Sequence, residues 1–204
     1  MEMVTVFDKN TLAESEKRFR TKLINSLAGI RQIALIGTKS KNGNENLAVF
    51  NSLIHLGASP ALFGLISRPD SVERHTLQNI KDTEMYTVNF MDKKYVEKVH
   101  QTSARYPENV SEFKEVNLTP EYFPEFTAPF VKEAEIKVEM KLQQILNLEI
   151  NSTHLIIGSV ERIFIPEERL LADGFVNPHH LLLSCGLDAY YTGEFAEKIT
   201  YAKP

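Results

Sequence analysis

The sequence predicts a mainly β fold: a β-barrel of mostly antiparallel strands with peripheral helices. Short apolar runs of strand length recur along the chain, and turn pairs such as Asn42-Gly43 and Asp173-Gly174 separate them. From Glu133 onward, apolar and charged residues alternate strictly, which is typical of a half-exposed antiparallel strand. The helical patterns are inserted among the strands and do not follow every strand, which favours a barrel over a doubly wound sheet.

The first 29 residues predict a helical extension. Residues 11–14, Thr-Leu-Ala-Glu, fit a capping box that opens a helix to about Leu27, with Gly29 closing it. Phe19, Leu23 and Leu27 recur at four-residue spacing and would form the buried stripe. We expect this helix to pack against the barrel or against a partner subunit.

Residues 31–90 predict the β-rich first half of the barrel. The Asn42-Gly43 pair supplies a positive φ at low cost, so the runs on either side of it should pair. In chain order we expect a strand at 31–38, a turn at 41–44, a strand at 46–56, a strand at 61–67, a helix beginning at His75-Thr76 and a strand at 85–90.

The second half begins with a helical pattern and ends in two longer strands. Residues 103–130 interleave prolines with aromatic residues, so we expect no long regular element there, but a packed segment that covers one end of the barrel. The alternation from Glu133 predicts one strand. Residues 153–165 predict the next strand, in which Gly158 indicates a bulge or a close backbone approach.

Length and composition limit the class of protein. The 204 residues predict a single domain over residues 1–204, with 1–29 as the extension and 103–130 as the covering segment. A net charge of −4 at pH 7 argues against a nucleic-acid partner, because neutralising phosphates needs a basic face. No apolar run approaches the roughly 18 residues that span a bilayer, and the first ten residues lack the pattern of a secretory signal. Since the single cysteine, Cys185, suits a reducing compartment, we expect a cytoplasmic protein without a membrane partner.

Polar residues between the third predicted strand and the following helix form a candidate phosphate site. Ser67 and Arg68 end the strand, and Arg74, His75 and Thr76 begin the helix. Hydroxyl groups, free amides at a helix start and guanidinium groups all bind phosphate oxygens, and the helix dipole favours an anion. The alternative is a simple helix cap with solvent-exposed arginines.

The common nucleotide, metal and nucleophile motifs are absent. The chain lacks GxGxxG, GxxxxGK[ST], GxSxG, CxxC and HExxH. The adjacent His179 and His180 would point to opposite faces of an extended segment, which is poor geometry for one metal ion. We therefore predict no metal site.

Several short motifs occur along most of the chain in a distinctive order. They are Gly43, Asn46-Leu47-Ala48, Asn51-Ser52, Pro60, Leu62, Arg68-Pro69, Thr76, Asn79-Ile80, Thr83, Val88-Asn89 and the segments 154–160, 187–191 and 202–204. No single motif is decisive, but together they resemble the FMN-binding split-barrel family, in its flavin reductase-like and flavoredoxin-like branch. The resemblance implies a mostly antiparallel split barrel that binds one FMN per subunit.

The resemblance also implies where the cofactor lies. The phosphate would sit at the candidate phosphate site, and the strand after residue 45 would pass beside the isoalloxazine ring, whose edge needs neutral hydrogen-bonding groups. The alternative is a half-buried strand in which Asn51 only closes a bulge. The residues expected to bind FMN are Asn46, Val49, Phe50, Asn51, Ser52, Ser67, Arg68, Arg74, His75, Thr76, Asn79 and Tyr190.

Two residues late in the chain have less certain roles. Reductases of the family often carry Gly-Asp before a histidine associated with the nicotinamide site, but here residues 151–153, Asn-Ser-Thr, precede His154. His154 is therefore either a nicotinamide-site residue or a structural hydrogen-bonding group, and no catalytic residue is otherwise identified. Tyr190 could stack on the flavin ring or fill a subunit interface.

The function that the resemblance implies is that of an FMN-dependent NAD(P)H oxidoreductase, similar to flavin reductases. Hydride accepted at flavin N5 would pass on to free flavin, a redox protein partner or another acceptor. Because the family forms homodimers, we expect a homodimer. One alternative is a non-catalytic, flavoredoxin-like electron carrier or FMN-binding module. Another is a flavin-free structural domain, in which the polar clusters are only caps and turns.

Overall fold

The computed structural model describes residues 4–199, which form a mainly β, antiparallel fold. Its α-helices are α1 Lys9–Glu14, α2 Lys17–Leu27, α3 His75–Thr83, α4 Val96–Gln101 and α5 Glu112–Glu115. Its strands are β1 Ile30–Gln32, β2 Ala34–Lys39, β3 Glu45–Phe50, β4 Leu53–Ala58, β5 Ala61–Ser67, β6 Met85–Phe90, β7 Pro120–Glu121, β8 Phe130–Val131, β9 Ile136–Leu148, β10 Thr153–Phe164, β11 Leu183–Cys185 and β12 Ala189–Tyr191. The family motif at 202–204 lies outside the described residues.

One seven-stranded sheet forms the body of the fold, in the order β3-β2-β6-β9-β10-β5-β4. Every neighbouring pair in it is antiparallel, which confirms the predicted fold class. Within residues 4–199 the pairing does not close the sheet into a ring, because β3 and β4 remain its two edges. A small sheet, β1-β11-β12, and the β7-β8 pair complete the architecture.

The predicted strand at 46–56 is two strands, and the break has a structural cause. Asn51 Nδ2 donates to the Gly186 carbonyl at 2.8 Å, and Ser52 Oγ exchanges hydrogen bonds with the Ile66 main chain. These contacts turn the chain from β3, on one edge of the large sheet, to β4, on the other. The predicted strand at 31–38 is likewise divided at Ile33, whose N–H donates to the Leu182 carbonyl at 3.2 Å and not to a neighbour in the large sheet.

The N-terminal extension differs from the single helix that the sequence predicts. Asp8, and not Thr11, is the first cap, since its Oδ1 accepts from the Thr11 N–H at 2.8 Å. A second helix begins after Glu16, whose carboxylate caps α2. The predicted buried stripe is wrong for this chain taken alone, because Phe19 is 48% exposed and Leu27 is 73% exposed.

The strands that follow agree closely with the sequence patterns. β5, α3 and β6 lie where residues 61–67, His75-Thr76 and 85–90 predict them. The apolar side of β9 is buried as predicted, with Val138 and Met140 in the main core. Its charged side is less exposed than the alternation indicates, because Glu139 is buried and accepts from Arg162 Nε at 2.6 Å.

The segment 103–130 packs against the sheet through its aromatic residues and holds only short elements, as predicted. Phe113 of α5 is fully buried beside Leu35 and Leu47 in a second apolar cluster. Phe126 packs with Phe130 in a third cluster. This arrangement places α5 against β3, an edge strand of the large sheet.

Gly158 combines both features that the sequence leaves open. The register of β10 against β9 shifts between Ile157 and Gly158, which is a bulge. A Cβ at Gly158 would also collide with the hydroxyl of Tyr86, a buried group that has no hydrogen-bond partner among the described residues. Burial raises the pKa of Tyr86 well above its ordinary value, so this hydroxyl stays neutral.

We predict that Gly158→Ala lowers the free energy of unfolding by about 2 kcal/mol, because the methyl group overpacks the core at the Tyr86 hydroxyl. Tyr86→Phe alone should be neutral or slightly stabilising, since it removes an unpartnered buried hydroxyl. Urea unfolding of the two single variants and the double variant measures the coupling. The matched control is Gly193→Ala, whose Cβ would meet Leu183 at an ordinary 3.5 Å. An equal loss for Gly158→Ala with and without the hydroxyl would contradict the proposed clash.

Candidate functional site

A cleft of about 570 Å³ lies between β3, the end of β5, the start of α3 and the turn after α4. Its volume is within the range of sites for small molecules and cofactors. The cleft brings together eleven of the twelve residues that the sequence predicts to bind FMN. They are Asn46, Val49, Phe50, Asn51, Ser52, Ser67, Arg68, Arg74, His75, Thr76 and Tyr190.

Asn79, the twelfth residue, lies behind the cleft wall and not in it. It is buried in α3, and its Nδ2 donates to Thr38 Oγ1 at 3.1 Å. Asn46 Nδ2 donates to the same Thr38 oxygen at 3.1 Å and to Thr76 Oγ1 at 3.0 Å. This network ties β2, β3 and the first turn of α3 together. Because both amide hydrogens of Asn46 are used internally, only its carbonyl oxygen remains for a ligand.

One end of the cleft carries three guanidinium groups, those of Arg68, Arg74 and Arg105. Burial lowers the pKa of Arg74, and the nearby charges of Arg105 and Arg68 lower it further. Within residues 4–199, none of the three forms an ion pair with a carboxylate. Glu73 also lines the cleft but pairs with none of them, and three like charges without an ion-paired carboxylate indicate a binding place for an anion.

The start of α3 contributes further donors at the same end. Residue Arg74, at the cap position, makes no side-chain cap, so the first-turn N–H groups lack a capping side chain. Thr76 Oγ1 accepts from Asn46 and so keeps its own hydrogen for another acceptor. His75 Nε2 is buried, has no hydrogen-bond partner within residues 4–199 and lies 3.7 Å from the Glu73 carboxylate. These groups suit the oxygen atoms of a phosphate.

The opposite end of the cleft is neutral and faces β11 and β12. Ser184 is only 3% exposed, it lines the cleft, and its hydroxyl has no hydrogen-bond partner in the described chain. Tyr190 also lines the cleft, and its hydroxyl lies 2.8 Å from His100 Nδ1. An orphaned buried hydroxyl beside an aromatic ring suits a flat ligand with polar atoms along its edge.

Sequence reasoning missed the cleft residues that come from the segment after α4. Arg105 lies in the turn after α4, and Glu112 lies in α5. Glu112 is buried and its Oε2 accepts from the Leu47 N–H of β3 at 2.9 Å. Burial raises the pKa of the Glu112 carboxyl, and the hydrogen bond from Leu47 partly opposes this rise. Neither residue stands in a recognisable motif, because a long, irregular segment carries them.

His154 does not line the cleft. It lies on β10, opposite Ser67 of β5, and its ring is largely buried. Its Nδ1 is 2.8 Å from Asn147 Oδ1, and its Nε2 is 3.4 Å from Asp70 Oδ2. The structure therefore places this histidine behind the segment that carries the cleft arginines.

The prediction for the two adjacent histidines is wrong in its geometry. His180 has a positive φ, so the segment is not extended there, and the rings of His179 and His180 lie 3.7 Å apart. In the part of the chain that the structure describes, no three side chains from His, Cys, Asp and Glu are grouped to hold a metal ion. A search of the same residues finds no helix with the length and hydropathy of a membrane span.

Comparison with known proteins assigns residues 30–183 to the flavin reductase like domain. A split barrel domain protein from Shewanella frigidimarina NCIMB 400, named as a candidate flavin reductase, is 41% identical, with a TM-score of 0.93 over 98% of this chain and 100% of that one. The flavoredoxin of Desulfovibrio vulgaris (Miyazaki F) is 20% identical, with a TM-score of 0.70 over 83% and 90% of the two chains. An FMN-binding protein from Thermus thermophilus is 19% identical, with a TM-score of 0.71 over 84% and 93%. The last two likenesses show a shared fold.

We predict that Glu112→Gln raises the free energy of unfolding at about pH 7 by about 1 kcal/mol, because glutamine keeps the acceptor for Leu47 and removes a buried charge. The folded-state pKa of Glu112 is raised, so the wild type loses stability as pH rises from the ordinary glutamate range through that raised pKa. The advantage of the variant should vanish at about pH 4, where the wild-type carboxyl is protonated.

Thermal or urea unfolding at both pH values measures this difference. Glu115→Gln, an exposed glutamate on the same helix, is the matched control and should leave stability unchanged. A Glu112→Gln variant less stable than the wild type at about pH 7 would show that the carboxylate charge itself is needed.

Proposed function

The chain belongs to the flavin reductase-like domain family, and from this premise we propose that it binds FMN in the cleft and acts as an NAD(P)H-dependent oxidoreductase. The observation that carries the proposal is the division of the cleft into a cationic end and a neutral end. FMN has a matching division, with a phosphate at one end and a neutral tricyclic ring at the other.

The cationic end would hold the phosphate. Arg68, Arg74 and Arg105 supply guanidinium groups, which bind phosphate oxygens in pairs. The uncapped N–H groups of α3 and the Thr76 hydroxyl add neutral donors beside them. A dianionic phosphate would relieve the mutual repulsion of the three arginines.

The neutral end would hold the ring. The β3 strand and its exit at Asn51-Ser52 form one wall, and Ser184 and Tyr190 stand on the other. The orphaned Ser184 hydroxyl would gain a partner on the polar edge of the ring. Hydrogen bonds to that edge orient a flavin and tune its potential.

Bound FMN supplies hydride acceptance at its N5 atom, which is chemistry that the side chains here need not perform. The chain's own part is to bind, to orient and to exclude water. Two carboxylates line the cleft, Glu73 and Glu112; Glu73 is exposed, and Glu112 is engaged with the Leu47 main chain. This division of roles suits a reductase whose cofactor carries the redox step.

A flavoredoxin-like electron carrier is the second candidate, and one observation favours it. His154, the residue that the family resemblance associates with nicotinamide, is not among the residues lining the cleft. The Gly-Asp pair that often precedes it is replaced here by residues 152–153, Ser-Thr. A carrier would use the same FMN site but would not oxidise NAD(P)H in steady state.

We also propose that the protein is a cytoplasmic homodimer. Apolar side chains lie exposed on α2, at Phe19, Ile24 and Leu27, and further along the chain at Ile30 and Tyr191. Apolar surface of this kind is typical of a face that a partner covers. A second copy of the chain would bury the predicted stripe of α2 that the single chain leaves open.

The first test is FMN binding by the purified protein. We predict that the protein takes up FMN with a flavin absorbance spectrum, and that Arg74→Gln with Arg105→Gln weakens FMN affinity by at least about 100-fold, because two charge-assisted contacts are lost. The affinity of the same double variant for riboflavin, which has no phosphate, should fall by less than about threefold. Lys132→Gln, an exposed basic residue outside the cleft, is the control for net charge. A protein that stays colourless with added FMN would overturn the proposed function.

The second test separates reductase from carrier. Stopped-flow mixing of the FMN-loaded protein with NADH and with NADPH should bleach the flavin band with at least one of them. If dithionite bleaches the flavin band but neither NADH nor NADPH does, the protein is not a reductase, and the electron carrier remains. Measurement of mass in solution tests the homodimer.

A further inference from the structure

The carboxyl group of Glu112 is a part of the cleft wall that neither the phosphate site nor the ring site uses. Glu112 begins α5 and lines the cleft, yet only 6% of the residue is exposed. Its Oε2 atom accepts from the Leu47 N–H of β3 at 2.9 Å. Within residues 4–199, its Oε1 atom accepts from no other residue, and it is not among the fully enclosed atoms that lack a partner. Oε1 therefore remains open to the cleft and can bond a ligand.

The position of this carboxyl group is fixed from two sides. The bond to the Leu47 main chain holds it against β3, and the next residue, Phe113, is fully buried in the same apolar cluster as Leu47. Burial raises the pKa of Glu112, which shows that the surroundings are unfavourable for a free carboxylate. A buried polar group with an unused oxygen costs free energy. A hydrogen bond from a ligand would offset part of that cost.

The carboxyl group lies beside the cationic end of the cleft, on the way to the neutral end. Leu47 directly follows Asn46, whose side chain bonds Thr76 at the start of α3. Asn51, at the neutral end, comes four residues later, which is about 13 Å along an extended strand. A ligand that reaches from the arginines to the ring site along β3 would therefore pass Glu112 between its two ends.

The chemistry of this place suits hydroxyl groups. Asn46 leaves only its carbonyl oxygen for a ligand, and the Glu112 Oε1 atom follows it along the strand, so the wall offers two oxygen atoms in succession. A dianionic phosphate has no hydrogen to donate to them. A hydroxyl group both donates and accepts, so it can bond a carboxyl group in either protonation state. FMN carries hydroxyl groups on the ribityl chain that joins its phosphate to its ring.

We propose that Glu112 is a specificity-determining residue of the cleft, whose open carboxyl oxygen binds hydroxyl groups of the ribityl chain. The proposal rests on the proposed function, because the ligand concerned is FMN. It gives α5 of the covering segment 103–130 a direct part in binding, beside β3 and α3. A flavin whose chain lacks hydroxyl groups would lose this contact.

The affinities of the full chain for riboflavin and lumiflavin test the proposal. Riboflavin has the ribityl chain without the phosphate, and lumiflavin has a methyl group in place of the chain. Glu112→Leu should weaken riboflavin binding about tenfold, because the hydrogen bond to the chain is lost. Its lumiflavin affinity should change by less than about twofold, which also shows that the cleft is intact.

Two further variants serve as rescue and control. Glu112→Gln keeps an acceptor for Leu47 and turns an amide toward the cleft, so riboflavin affinity should fall only about threefold and lumiflavin affinity should not change. Glu115→Leu, at an exposed glutamate of α5 that does not line the cleft, is the matched control and should change neither affinity. If Glu112→Leu does not fold, the riboflavin loss of Glu112→Gln decides the question alone.

The other outcomes overturn the inference. Unchanged riboflavin affinity would show that Glu112 makes no contact with the chain. Equal losses for riboflavin and lumiflavin would place Glu112 against the ring or indicate general damage, and urea unfolding of the same variant separates these two explanations. Failure of the proposed function looks different, because the wild-type protein would then bind neither FMN nor riboflavin.

Discussion

The buried hydrogen bonds among Thr38, Asn46, Asn79 and Thr76 are the interaction on which the cleft depends. They join two strands of the large sheet to the first turn of α3, and all four side chains are buried. Leaving a buried amide without a hydrogen bond costs more free energy than pairing it gains. These groups therefore favour the single arrangement of strand and helix in which all of them are paired. The neutral end of the cleft belongs to the strand and the cationic end to the helix, so this network sets the distance between them.

The cationic end is costly to build, which explains the structure around it. Arg68, Arg74 and Arg105 repel one another, and the described chain offers them no carboxylate partner. Two of them are held from outside the cleft: the Pro69 carbonyl accepts from Arg74 Nε, and Asp70, between Arg68 and Arg74, pairs with Lys81 of α3. Functional sites commonly store such unfavourable arrangements, which binding then relieves.

The elements that the sequence predicted well are those that local pattern determines. The runs of β5, β6 and β9 follow from alternation and turn residues, and the start of α3 follows from its polar boundary. The breaks at Ile33 and Asn51 could not be predicted, because their partners, Leu182 and Gly186, are more than 130 residues away along the chain. The exposure of the apolar stripe of α2 could not be predicted for a similar reason. Periodicity identifies the apolar face of a helix but not the surface that covers it.

The same distinction separates the site residues that were found from those that were missed. Short motifs point to the strand and the helix start, yet a motif residue such as Asn79 supports the wall from behind. Arg105 and Glu112 come from an irregular segment whose only signal was its proline and aromatic content. That segment packs through Phe113 into the same apolar cluster as Leu47, and the Leu47 N–H donates to the Glu112 carboxylate. Core packing therefore brings Arg105 and Glu112 to the cleft, and a covering segment becomes part of the binding site.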